Sequence, residues 1–268
     1  MARWNSLKDA VVLALKNWRL WLLQFVGNVA IFLAFVGWLQ IKEAHWWQLV
    51  FSLLLAALLV STPLVLHGGT LNYFESAHQD RSARLLPAFR SAVKHLAALV
   101  VWFLVVHFLW HVATHLEAYS TSFPGYLRSE FPAWLRRMIS EPALDNTYSF
   151  LLWLLLFVVL PGLFLPFAMF AAGRGFRGLI ALRDWRRTVA NPVYWIALVV
   201  AAVIGVYCTP KIMDWKLDPK TATLSAEKTS LAFRLLFAYL LAIFSWLLAC
   251  SALGRASLSS GQAGSQPT

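Results

Sequence analysis

Three histidines, His107, His111 and His115, recur at a spacing of four inside an apolar run. At 3.6 residues per turn they share one helix face, drifting about 40° per step. Two imidazoles at i and i+4 can hold one metal ion, and polar side chains at membrane depth are costly enough to mark functional sites. The chemistries open to this stripe are a metal centre, a haem centre or a proton relay. A plainer use competes with them: neutral histidines bonded to carbonyls near a wet interface. The stripe also lacks the glutamate of a zinc-peptidase helix. Glu117, His45 and Cys208 are further candidate ligands on the same side, and nothing in the sequence brings them together.

Two other groups could do chemistry. Gln24 and Asn28 lie one turn apart in an apolar segment and suit either a polar pathway or a hydrogen bond between helices, worth about 0.6 kcal/mol. Arg183, Arg186 and Arg187 cluster within five residues, just before Asn191-Pro192. The planar guanidinium fork matches phosphate, so these three are candidate contacts for lipid headgroups, with Trp185 and Val189 set among acyl chains. Pro161-Gly162 and Pro166 interrupt one apolar segment, as in the broken helices of transporters and also in ordinary membrane helices. Arg234, one turn into the last segment, is expected to snorkel outward.

The elements that must position these residues are six apolar segments, at about 20–41, 46–67, 95–116, 150–172, 193–209 and 231–253. Each is long enough, or nearly so, to cross a hydrocarbon core of roughly 30 Å. Hydrophobic residues make up 60% of the chain and charged residues 13%, against about 25% charged in a soluble domain. The expected fold class is therefore all-α, a polytopic membrane helical bundle of six transmembrane helices. Residues 1–255 read as a single integral membrane domain, and 256–268, rich in Ser, Gly and Gln, as a disordered cytoplasmic tail. The first segment is too long for a signal-peptide core, and Leu39-Gln40-Ile41 is no small-residue cleavage site. The tryptophans fall in belts, with Trp18, Trp21, Trp185 and Trp195 on one side and Trp38, Trp46, Trp47, Trp134 and Trp215 on the other.

The net charge of +11 would suit nucleic acid, but its distribution argues against that. With the N-terminus inside, fourteen cations face four acids there, a net of +10, while eight cations and eight acids balance outside. This positive-inside pattern places both termini in the cytoplasm and the basic surface against anionic lipid headgroups. Cys208 and Cys250 fall at opposite ends of the last two spans, too far apart for a mutual disulfide.

An internal repeat is visible. Residues 6–18, 84–94 and 177–189 each carry an apolar stripe and a basic face, the pattern of a helix lying in the membrane interface. Ser6-Leu7-Lys8-Asp9 reads as a capping box at the start of the first. Each leads into a span through a similar phrase: Leu15-Lys16-Asn17-Trp18, Val93-Lys94-His95-Leu96 and Val189-Ala190-Asn191-Pro192. Pro63 followed by Gly68-Gly69 is echoed by Pro166 followed by Gly173. The reading is three repeated units, each an interfacial helix plus a helical hairpin. Of the outer loops, 117–149 should hold a short helix with Phe131, Trp134, Leu135, Met138 and Ile139 on its stripe. The loop at 210–230 should be irregular.

The pre-span phrases, with Pro63-Leu-Val-Leu-His-Gly-Gly-Thr-Leu and Leu85-Leu-Pro-Ala-Phe-Arg, resemble a group of uncharacterised bacterial six-span membrane proteins. That group is related to the membrane domain attached to some glycerophosphodiester phosphodiesterases. The resemblance implies a bacterial inner-membrane location and no activity. Three function classes follow: a non-enzymatic scaffold or accessory protein, with a membrane protein or a second copy as partner; a transporter or lipid-handling protein; and a metal- or haem-linked redox protein using the histidine stripe.

Overall fold

A computed structural model describes residues 2–42, 44–80, 83–119, 122–216 and 223–262. Glu43, Arg81, Asp218, Lys220 and residues 263–268 of the expected tail lie outside these. Among the described residues every regular element is helical: α1 (Ala2–Lys16), α2 (Trp18–Trp38), α3 (Trp46–Gln79), α4 (Leu85–Lys94), α5 (Leu96–Thr114), α6 (Ser122–Glu130), α7 (Ala133–Met138), α8 (Glu141–Arg174), α9 (Phe176–Leu179), α10 (Leu182–Val189), α11 (Pro192–Asp214) and α12 (Leu224–Gln262). Six of them, α2, α3, α5, α8, α11 and α12, are long and apolar enough to cross a membrane. The chain is a multi-pass membrane protein.

The three pre-span phrases are three helix junctions. Asn17 caps α2 by accepting from the Leu20 amide at 3.3 Å, and Asn191 caps α11 by accepting from the Val193 amide at 3.0 Å. Pro192 takes a first-turn position, where its missing N–H costs nothing. His95 ends α4, opens α5, and sets its ring Nδ1 3.2 Å from the Ala172 carbonyl. Four residues after each asparagine stands a tryptophan that reaches back to the surface helix. Trp21 Nε1 donates to the Ala14 carbonyl at 2.9 Å, and Trp195 Nε1 to the Val189 carbonyl at 2.7 Å. The first and third units therefore share hydrogen bonds as well as pattern, and the second, at His95, does not.

Each unit folds as a surface segment plus a hairpin, with α2 on α3, α5 on α8 and α11 on α12; in the third unit the expected single helix over 177–189 is divided into α9 and α10, broken at Ile180-Ala181. The second helix of each hairpin faces the middle, where α3 packs against both α8 and α12. Leu71, Phe74, Met169, Phe170, Leu247, Leu248 and Leu253 are all buried together there. The surface helices close the basic end. α4 lies across α3 and α8, α10 across α8 and α12, and α1 returns to α12. The Ser251 hydroxyl donates to the Ala10 carbonyl at 2.9 Å, and the His78 ring sits 2.9 Å from the Ser251 carbonyl. Apolar area drives no helix association in lipid, so close backbone approach matters most. At Gly254 an added Cβ would lie 2.7 Å from the Phe74 carbonyl carbon and oxygen.

Several expectations are corrected. α1 begins at Ala2, so Ser6 lies within the helix and starts nothing. α12 runs to Gln262 with Ala256 buried, so residues 256–262 are helix rather than tail. The loop at 210–230 is flanked by helix to Asp214 and from Leu224, and its middle lies outside the described residues. Hydropathy marks only the part of a helix that suits hydrocarbon, while backbone pairing continues wherever neighbours cover it. Trp185 does not face acyl chains. Its ring stacks on Phe167 at 5.5 Å and its Nε1 donates to the Leu163 carbonyl at 2.7 Å. Trp21, Trp38 and Trp195 likewise donate within the protein, whereas Trp18, Trp46, Trp47, Trp134 and Trp215 are exposed as belt residues should be. The expected helix in the 117–149 loop is α7, with Trp134 and Met138 exposed.

Candidate functional site

At the basic end, the turn from α1 into α2 meets the start of α4 over the end of α3. A cavity of about 730 Å³ opens between them. Lys16, Arg19 and Arg84 bring three cations to its lining, beside the apolar side chains of Leu13, Leu85 and Leu86. Asn17 serves twice: its side-chain oxygen caps α2, and its Nδ2 donates to the buried Tyr73 hydroxyl at 2.6 Å. That bond ties α3 to the junction between α1 and α2. The Arg19 guanidinium carbon sits 5.8 Å from the Trp18 ring centre. Among the described residues, Lys16, Arg19 and Arg84 take part in no ion pair. Unpaired cations beside an apolar wall at a membrane surface match a phosphate with its acyl chains.

A second cavity, about 200 Å³, lies where α3, α8, α10 and α12 converge. Here three of the four charged side chains are already paired. Arg174 meets Glu75 at 3.4 Å and Asp184 at 2.6 Å, and its guanidinium stacks 5.0 Å from the Phe170 ring centre. Arg187, half-buried, also lines this cavity. Arg183 and Arg186 are exposed. The candidate headgroup arginines thus divide between an open surface and a neutralised crevice.

Gln24 is buried and donates to the Thr70 hydroxyl at 2.7 Å, while Asn28 donates to the Gln24 carbonyl and side-chain oxygen at 2.8 and 3.0 Å. The pair ties α2 to α3 with its hydrogen bonds satisfied locally. The break in α8 is repaired in the same way. Pro166 offers no N–H to the Gly162 carbonyl four residues earlier. Tyr194 donates to that carbonyl at 3.1 Å, Trp185 to Leu163 and Trp102 to Phe164 at 3.1 Å. Three consecutive carbonyls are thereby covered by side chains from three different helices. Leu155–Val159 and Val203–Cys208 are π-helical turns, each ending within two residues of a proline, Pro161 and Pro210. Arg234 does not snorkel. It is buried and donates to the Met213, Trp215 and Ser230 carbonyls and to Glu227, pinning the end of α11 to α12. Beside it a groove of about 950 Å³ is lined by Tyr207, Lys211, Phe233 and Phe237.

The three histidines keep their shared face but do not make a three-ligand site. His107, deepest of the three, stacks on Phe103 at 5.7 Å. His111 and His115 converge, Nε2 to Nε2, at 3.3 Å. Among the described residues no three His, Cys, Asp or Glu side chains come together to hold a metal ion. Both cysteines are free, Cys250 buried and Cys208 partly so.

The lining that the sequence reading missed is Lys16, Asn17, Arg19, Tyr73 and Arg84. Its one sequence signal was the Asn17 phrase, with a cation on each side. In comparisons with known proteins, no family model, no curated protein and no solved structure matches the chain.

Proposed function

We propose that this is a non-enzymatic membrane protein that holds anionic phospholipid at its basic end, in a scaffold or accessory role. The cavity lined by Lys16, Arg19 and Arg84, which take part in no ion pair among the described residues, carries the reading. The polar groups inside the bundle support it, because they are occupied in joining helices: Gln24 to Thr70, Tyr194 to Gly162, and Arg234 to the end of α11. The proposal includes a bacterial inner-membrane location with the basic end and both termini cytoplasmic, an orientation that the charge split supports. A cysteine placed in the 117–149 loop should then react with an impermeant reagent from outside intact cells. Labelling only from the cytoplasm would reverse the orientation.

Each cation near an anionic surface contributes about 1 kcal/mol, so losing three should weaken headgroup affinity roughly 100-fold. The variant Lys16→Gln/Arg19→Gln/Arg84→Gln is expected to lose most of its co-purifying phosphatidylglycerol and cardiolipin, read by lipid mass spectrometry. Equal retention by parent and variant removes this site. Arg183 and Arg186 form a second, more open part of the same surface, with Arg187 beside them in the smaller cavity. Replacing all three by lysine keeps the charge but removes the bidentate fork. Topology should survive, and anionic lipid should fall. Unchanged lipid leaves these arginines only a topological role.

A second reading, a lipid-handling protein or transporter, draws support from the groove of about 950 Å³ at the opposite end. An acyl chain there would lie against Phe233 and Phe237, with Lys211 at its headgroup. A photoreactive acyl probe should then cross-link to α11 and α12. Labelling elsewhere excludes the groove.

A further inference from the structure

We infer that His111 and His115 form half of a tetrahedral divalent-metal site, completed by the same pair from a second copy of this chain. Two nitrogens bound to one tetrahedral zinc ion, at about 2.0–2.1 Å each, lie about 3.3 Å apart. The two Nε2 atoms already stand at 3.3 Å. Both rings are exposed on the outside of the bundle, one turn apart at the end of α5. A single chain supplies two ligands, and the described residues bring no third to them. A twofold interface is self-complementary, so a pair on the axis meets its own image and four imidazoles result.

The surrounding face agrees with this. Leu104, Phe108 and Val112 are exposed on the same side of α5, with Leu116 exposed in the turn that follows it. Apolar side chains alone give helices little reason to associate in lipid, where the tails are equally apolar. Polar groups on an outward face are a cost until something partners them. The histidine pair is the feature that distinguishes this face; its two rings stand within hydrogen-bond distance of each other, and a shared ion would replace that contact and join the copies in one step. His107 takes no part, because its ring lies on Phe103 one turn deeper. The inference is independent of the lipid reading, since the two sites lie at opposite ends of the spans.

The test uses the full chain in detergent, stripped of metal and equilibrated with Zn²⁺. Metal content and mass are measured together. One Zn²⁺ per two chains is expected, with a dimer that a chelator disperses. Co²⁺ in place of Zn²⁺ should give the intense visible absorption of a tetrahedral site. His111→Ala and His115→Ala should each abolish the metal and the metal-dependent dimer. His107→Ala should leave both intact, and because all three side chains are exposed, helix content by circular dichroism should be equal among the variants. Zinc retained by the His111→Ala/His115→Ala variant, one ion per monomer, or a dimer indifferent to chelation would each overturn the inference.

Discussion

Replacing Gly254 with alanine is expected to destabilise the protein by about 2–3 kcal/mol, the range for forcing extra volume into a packed core. The new methyl would sit 2.7 Å from the carbonyl carbon and oxygen of Phe74 and 3.0 Å from the Glu75 amide nitrogen. These are backbone atoms of α3 and cannot rotate away, so α3 and α12 must separate. The side chains next to the contact, Phe74 and Leu253, are buried in the central cluster, and the separation would open it. The measurement is the unfolding midpoint in mixed detergent and denaturing surfactant. Gly37→Ala is the comparator, because an added Cβ there meets nothing within 4 Å. Its expected effect is neutral, or a gain of up to about 1 kcal/mol from helix propensity. Equal midpoints for the two variants would mean that α3 and α12 do not touch at Gly254.

The second large effect belongs to Tyr194. Its hydroxyl covers the Gly162 carbonyl that Pro166 leaves without a donor, in a fully buried position. Tyr194→Phe keeps the ring and strands that carbonyl, which should cost about 1–3 kcal/mol. Pro166→Ala supplies an N–H able to bond Gly162 along the helix. In that background Tyr194→Phe should cost far less, and the difference is the coupling that a double-mutant cycle measures. Purely additive costs would mean that tyrosine and proline do not share the carbonyl.

Much of this architecture was legible in the chain. Six apolar runs, three basic amphipathic stretches and the phrases at Asn17, His95 and Asn191 identify every span and every junction. What those phrases did not disclose is the reach of the side chains. That Trp21 and Trp195 fold back onto surface-helix carbonyls depends on a turn geometry no periodicity encodes. The ends of α3 and α12 were hidden because polar residues such as Asn72, Glu75 and His78 end the hydropathy signal while the helix continues. The cavity lined by Lys16, Arg19 and Arg84 was illegible for a related reason: Asn17 and Tyr73, bonded to each other, stand 56 residues apart. His111 and His115 were found by spacing alone. Their outward direction was not, since a span apolar on all sides gives no clue to which side meets the bundle. Arg234 misled for the opposite reason: a lone cation near a span end usually escapes to water, and here the end of α11 offers it two carbonyls, beside one from its own helix and the Glu227 carboxylate.

The hydrogen bond from Ser251 to Ala10 joins residues 241 positions apart, and it imposes an order on assembly. As the chain is synthesised, α1 emerges early, yet the surface that receives it belongs to α12. Until α12 enters the membrane, Ala10 and Ala14 have no seat, His78 lacks its partner on Ser251, and the flank of α3 at Phe74 stays open. The first surface helix must therefore wait at the interface while five spans are inserted. The last span therefore both completes the core and supplies the seat of α1, so the first and last elements of the chain close the bundle together.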